Sequence, residues 1–155
     1  DAYSPGGRTG LRPDRALAVY AQRCREAFPG VPVIAGGVEG SLRRIAHYDY
    51  WSDKVWPSSL VTSKAHALVC GMGEGAVVEI ARRLGAGLGV AGLRDLRGLA
   101  YLLGKSEAVP AHHFDGASGS DQDVALPSFE SVVADPHVAS WIRDAEQETA
   151  AASAA

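Results

Sequence analysis

An α/β fold built on a parallel sheet is what this sequence predicts, and two glycine turns are the main reason. Each turn follows a short apolar run and opens onto a helix-like pattern. The first is Val31-Pro32-Val33-Ile34-Ala35-Gly36-Gly37-Val38-Glu39 and the second is His66-Ala67-Leu68-Val69-Cys70-Gly71-Met72-Gly73-Glu74. A strand–glycine–helix unit repeated in this way reads as two consecutive βα units. Parallel sheets bind ligands beyond the carboxyl ends of their strands, where these glycines fall. A third observation marks a site: the run His47-Tyr48-Asp49-Tyr50-Trp51-Ser52-Asp53-Lys54, between the turns, is dense in polar aromatic and acidic side chains.

The elements follow in order. Residues 1–13 are a Gly/Pro-rich loop. Leu17, Tyr20, Cys24 and Phe28 recur at helical spacing and predict an amphipathic helix over 15–28, stopped by Pro29-Gly30. Pro32 occupies the permitted first position of a strand over 33–35, which is apolar on both faces as a covered parallel strand should be. A short helix over 39–46 follows the first turn. Residues 47–64 carry no clear period, and Pro57-Ser58-Ser59 argues for a break. A second apolar strand over 67–70 leads into a helix over 74–84 with the stripe Val77, Ile80, Ala81 and Leu84, ended by Gly85, Gly87 and Gly89. Residues 93–104 fit either a helix through Leu93, Leu96, Leu99 and Leu103 or a strand at 100–103. The sequence thus divides into an α/β domain over 1–111, a polar loop or linker over 112–125 and a helical segment over 126–155. In that segment a helix starts at Phe129, with a possible interruption at Pro136 and a frayed alanine-rich end from Thr149.

The chain has 155 residues and a net charge of -3, so nothing draws it generally to nucleic acid or to an anionic membrane. No apolar run approaches the ~20 residues of a membrane helix. The first residues show no secretory signal, and a cytoplasmic setting is expected. The sequence opens on Asp1 without methionine and reads as a piece of a longer chain. Cys24 and Cys70 are expected as buried free thiols.

Candidate site residues come from the turns and the run between them. Gly36, Gly37, Gly71 and Gly73 can let a ligand approach bare backbone, or can simply make tight turns. Neither turn matches GxGxxG or GxxxxGK(S/T). Glu39 and Glu74 stand just after each turn, where a carboxylate either caps its helix or accepts from a ligand. His47, Tyr48, Asp49 and Asp53 offer acid–base groups and hydroxyls, or form a half-buried cluster whose polar ends find partners. No metal site is expected: Asp49 and Asp53 lack a partner at metal spacing, and adjacent His112 and His113 point apart in extended chain.

Asp1-Ala2-Tyr3-Ser4-Pro5-Gly6-Gly7, Arg12-Pro13-Asp14-Arg15-Ala16, the run from Gly36 to Arg44, the run from His47 to Lys54 and Gly71-Met72-Gly73-Glu74 together resemble the N-terminal region of the YgiQ-type radical SAM proteins. The resemblance resumes at Leu126-Pro127-Ser128-Phe129-Glu130. Gly40 stands for a usual Ala, Gly75 for a usual Arg, and Trp56-Pro57 for a more basic pair. The resemblance implies a partial doubly wound parallel sheet of the Rossmann-like, cobalamin-binding-like kind, incomplete at its N-terminal side. It implies a longer parent whose downstream domain binds a 4Fe-4S cluster through CxxxCxxC and cleaves S-adenosylmethionine reductively to a 5′-deoxyadenosyl radical. This chain holds none of those ligands. Its implied partner is that absent radical SAM domain, toward which 126–155 leads. Gly36, Gly37, Glu39, Gly71, Gly73 and Glu74 would line the cofactor or domain crevice, with His47, Tyr48, Asp49 and Asp53 adding polar contacts. Cobalamin enters by fold analogy alone, since no DxHxxG motif is present. The alternative is a non-catalytic module docking a partner through the 47–54 run.

Overall fold

A computed structural model describes residues 2, 4–108, 126–135 and 137. The expectations for 112–125, Pro136 and the alanine-rich end lie outside the described residues. The chain divides into two compact units, Asp1–Ile45 with Ser58–Ala117, and Ala46–Pro57 with Ser118–Ala155.

The first unit is a small mixed sheet with helices on both faces. Its helices are α1 (Ala16–Ala27), α2 (Gly37–Leu42), α3 (Ser59–Ser63) and α4 (Glu74–Gly85); its strands are β1 (Ile34–Ala35), β4 (Ala67–Val69) and β5 (Leu99–Ala100). The second unit holds β2 (His47–Asp49), β3 (Lys54–Trp56) and α5 (Phe129–Ala134).

Both glycine turns connect a strand to a helix, and β1 and β4 pair in parallel, Ile34 with Ala67 and Ala35 with Leu68. The sheet order is β1-β4-β5. A wholly parallel sheet is not what forms, because β5 runs antiparallel to β4. After α4, a 3-10 turn at Val90–Leu93 and a left-handed Gly98 (φ +78°) bring the chain to the carboxyl end of β4, where the Gly98 carbonyl accepts from the Cys70 N–H (2.7 Å), so β5 starts from that end and runs back along β4. The ambiguous 93–104 stretch is therefore a turn and a strand, not a helix.

Alternation along the strands splits the core. Ala35 and Leu68 pack with Leu60 and Ala65 on one face, joined by Leu17; Val69 packs with Ile80 and Leu93 on the other, joined by Ile34 and Leu99. Burying Leu68 completely removes on the order of 2–3 kcal/mol of apolar surface cost.

Two expected helix faces are corrected. In α1 the stripe of Tyr20, Cys24 and Phe28 is exposed, and the buried residue is Ala21. α1 packs against α3. Cys24 is accordingly exposed, not buried, and Cys70 is half-buried. In α4, Ile80 is buried, but Val77 is 56% exposed. That half of the predicted stripe has no cover within the first unit.

Candidate functional site: a crevice at two glycine corners

Gly37 (φ +79°) and Gly71 (φ +76°) both occupy the left-handed region, which a side chain would strain. The helix begins two residues after the strand ends at the first corner and five after it at the second. Because β1 and β4 are parallel neighbours, the corners emerge at the same end of the sheet. One hydroxyl ties them. Ser41 Oγ donates to the Gly37 carbonyl (2.9 Å) and accepts from the Gly71 N–H (3.0 Å). Ser41 falls within the Gly36–Arg44 run, and a serine one turn into the helix after a glycine corner is the signal that marks it.

Around the corners lies a crevice of about 950 Å³. Gly36, Gly37, Gly71, Gly73 and Glu74 line it, so five of the six turn residues singled out from sequence share one surface. Its walls are apolar, with Val38 and Leu42 from α2 and Val77, Ala81 and Leu84 from α4. Glu74 is the one charged side chain among the described lining residues.

Glu39 is placed elsewhere. Its Oε2 accepts from the Leu17 N–H (3.1 Å), in the first turn of α1, and its Oε1 accepts from Arg43 Nη1 (3.1 Å). It satisfies an otherwise orphaned amide of a different helix and forms an ion pair one turn along its own. Capping is the right kind of role, but the helix capped is α1.

His47, Tyr48, Asp49 and Asp53 belong to the second unit, where β2 and β3 form an antiparallel hairpin. Asp49 is 1% exposed. Its Oδ2 accepts from the Ser52 N–H (3.1 Å) and from the Ser52 hydroxyl, and that hydroxyl in turn accepts from Trp56 Nε1 (2.8 Å). Asp53 takes the left-handed conformation (φ +51°) that acidic residues tolerate, and its Oδ1 accepts from the Tyr48 hydroxyl (2.8 Å). Asp49 opposes Lys54, and His47 opposes Trp56. Much of the run's unusual composition is thus hairpin chemistry. At the tip, Tyr50 and Trp51 stack with ring centroids 4.0 Å apart.

Among the described residues no group of three or more His, Cys, Asp or Glu could hold a metal ion. The chain contains two cysteines in all, Cys24 and Cys70, so it does not fit a 4Fe-4S cluster. Burial pushes the Cys70 thiol up, which keeps it protonated and unreactive at neutral pH, despite the nearby Arg44 charge that pulls it down. Among the described residues no histidine lines the crevice, so none of them offers an imidazole to a corrinoid cobalt. Among the described residues no helix is long and apolar enough to cross a membrane.

The family model for the radical SAM N-terminal region matches residues 1–155. A UPF0313 protein of Rhodopseudomonas palustris is 49% identical over 144 residues, covering 87% of this chain and 21% of that one. A UPF0313 protein of Geobacter sulfurreducens is 50% identical over 137 residues, covering 88% and 21%. One from Pseudomonas aeruginosa is 59% identical over 102 residues, covering 66% and 14%. The chain spans about a fifth of the length of the first two of these relatives. No solved structure matches it. The chain belongs to the radical SAM N-terminal family, as it occurs at the N-terminal region of the YgiQ-type UPF0313 proteins.

Proposed function

We propose that this chain is the N-terminal accessory part of a radical SAM enzyme and has no catalysis of its own. The observation that supports the reading is the family match across residues 1–155, in a chain that spans about a fifth of its relatives. The reductive cleavage of S-adenosylmethionine at a 4Fe-4S cluster belongs to another domain of the parent. This part contributes the glycine-cornered crevice, where Gly36, Gly37, Gly71, Gly73 and Glu74 meet that domain or a ligand. Cobalamin stays an analogy of fold; full-length parent that retains no visible absorption after gel filtration with hydroxocobalamin would remove it.

The test uses the full-length parent, prepared without oxygen. A CxxxCxxC motif beyond residue 155 and reductant-dependent formation of 5′-deoxyadenosine are expected. Absence of the motif from the parent reading frame would end the radical SAM assignment.

A second reading, a non-catalytic module that docks a partner through the 47–54 run, is favoured by the stacked Tyr50 and Trp51, 62% and 49% exposed. Replacing both by serine in the parent separates the two. Lost docking or solubility with unchanged cluster content and turnover favours the module. Unchanged association removes it.

A further inference from the structure

His66 stands just before β4, beside the end of the connector that leads from α1 to β1, and it is bonded to Val33 twice. Its backbone N–H donates to the Val33 carbonyl (2.8 Å), and its ring Nδ1 accepts from the Val33 N–H (2.9 Å). An imidazole nitrogen thus fills the place that a carbonyl fills in an ordinary strand pair. The two acceptors differ in one respect. A carbonyl accepts at any ordinary pH, whereas an imidazole nitrogen accepts only while it carries no proton. The bond therefore requires the neutral ring, with its hydrogen on Nε2. A proton on Nδ1 would set a donor against the Val33 donor.

The ring is exposed to solvent protons and lines a pocket of about 570 Å³. Among the described residues, the other charged side chains of that pocket are Arg25 and Glu26 of α1 and Lys64, between α3 and β4. Arg25 Nη1 donates to the Lys64 carbonyl (2.9 Å). Hydrogen bonds from Arg23 and Gln22 hold the Glu26 carboxyl below its ordinary value, so it keeps its charge wherever histidines titrate. An imidazolium would add a positive charge to two others, beside one carboxylate that is already engaged.

We propose that His66 is a pH-sensitive latch. Its neutral ring holds the connector against the start of β4, and protonation releases it. The bond from the His66 backbone N–H does not depend on the ring, so release is local: β1 keeps its register with β4 while the connector loosens. Pro29, Gly30 and Val31 of that connector wall the same pocket, so the pocket opens with it. The released state binds one more proton than the latched one. The latch is therefore closed above the range in which histidines titrate and opens as pH falls through it.

Amide exchange on the full-length parent tests this, expressed as protection relative to unstructured chain at the same pH. Between about pH 8 and about pH 5, Val33 protection is expected to fall about 5-fold or more, the worth of one hydrogen bond. Leu68 protection should stay constant. The nuclear magnetic resonance shift of the His66 ring should report proton uptake at the same midpoint. His66→Gln offers a side-chain carbonyl that accepts without titrating, and should abolish the pH dependence. If that variant does not fold, agreement of the two wild-type midpoints decides alone. Val33 protection that stays constant while the ring titrates would overturn the proposal. So would a ring that stays neutral down to about pH 5, or a pH dependence that persists in His66→Gln and so belongs to another group.

Discussion

Replacing Glu39 separates a ligand-binding carboxylate from a structural one. In the structure Glu39 accepts from the Leu17 N–H at the start of α1 and from Arg43, just past the end of α2. Loss of a helix N-terminal acceptor costs ~1 kcal/mol. Loss of a partly exposed one-turn ion pair costs a further ~0.3–0.5 kcal/mol. The sum for Glu39→Ala is about 1.4 kcal/mol, or a factor of about 10 in the local opening equilibrium. Amide exchange at Leu17 and the rest of the first turn of α1 should rise by that factor in the full-length parent, with α4 unaffected. Glu39→Gln keeps one oxygen for the Leu17 N–H, and should recover all but the ion-pair part. Unchanged exchange at Leu17 in Glu39→Ala, together with lost turnover in Glu39→Gln, would refute the structural assignment and return Glu39 to the crevice.

Three more outcomes follow from the same bonds. Asp49→Ala should destabilise the β2–β3 hairpin by ~2–3 kcal/mol, because a buried charged acceptor is removed from two donors; Asp49→Asn should cost less. Near-UV circular dichroism of Trp56 reads the loss, and an unperturbed hairpin in Asp49→Ala would contradict it. Ser41→Ala should speed exchange of the Gly71 amide about 5-fold, as expected for losing ~1 kcal/mol of hydrogen bond; no change would show that the corners hold without it. Hydrogen bonds from Arg82 and Arg83 pull Glu79 from 4.5 to about 2. A carboxylate depressed on folding contributes stability that is fully present above about 4.5 and is lost as pH falls toward 2. Arg83 also clasps Asp95 beyond the end of α4, so opening of this region, read by exchange, should steepen across that window. Glu79→Gln should flatten the acid limb, and an unchanged acid limb would refute the assignment.

The parallel pair of βα units was legible because glycine corners and apolar runs are local signals. So was the crevice rim, since the ends of two neighbouring parallel strands emerge together. The direction of β5 was not legible: Leu99-Ala100 carries no mark of which way it runs, and what decides it is that the chain after α4 reaches the carboxyl end of β4 at Gly98. Tyr20 and Phe28 misled the reading of α1, because hydrophobic spacing does not reveal that a helix packs through an alanine. Glu39 was legible as a cap but not as a cap for a helix 22 residues away in sequence. The chemistry of the 47–54 run could not be told from site chemistry by composition, since Asp, Ser, Tyr and Trp serve a tight hairpin as well as they serve a substrate.

The Ser41 hydroxyl gives the corners a shared fate. It holds one corner as acceptor and the other as donor. A ligand that drew the Gly37 carbonyl away would take one of the hydroxyl's two partners, and one that drew the Gly71 N–H away would take the other. The same oxygen thus joins the start of α2 to the approach to α4 by a route that does not pass through the sheet between them.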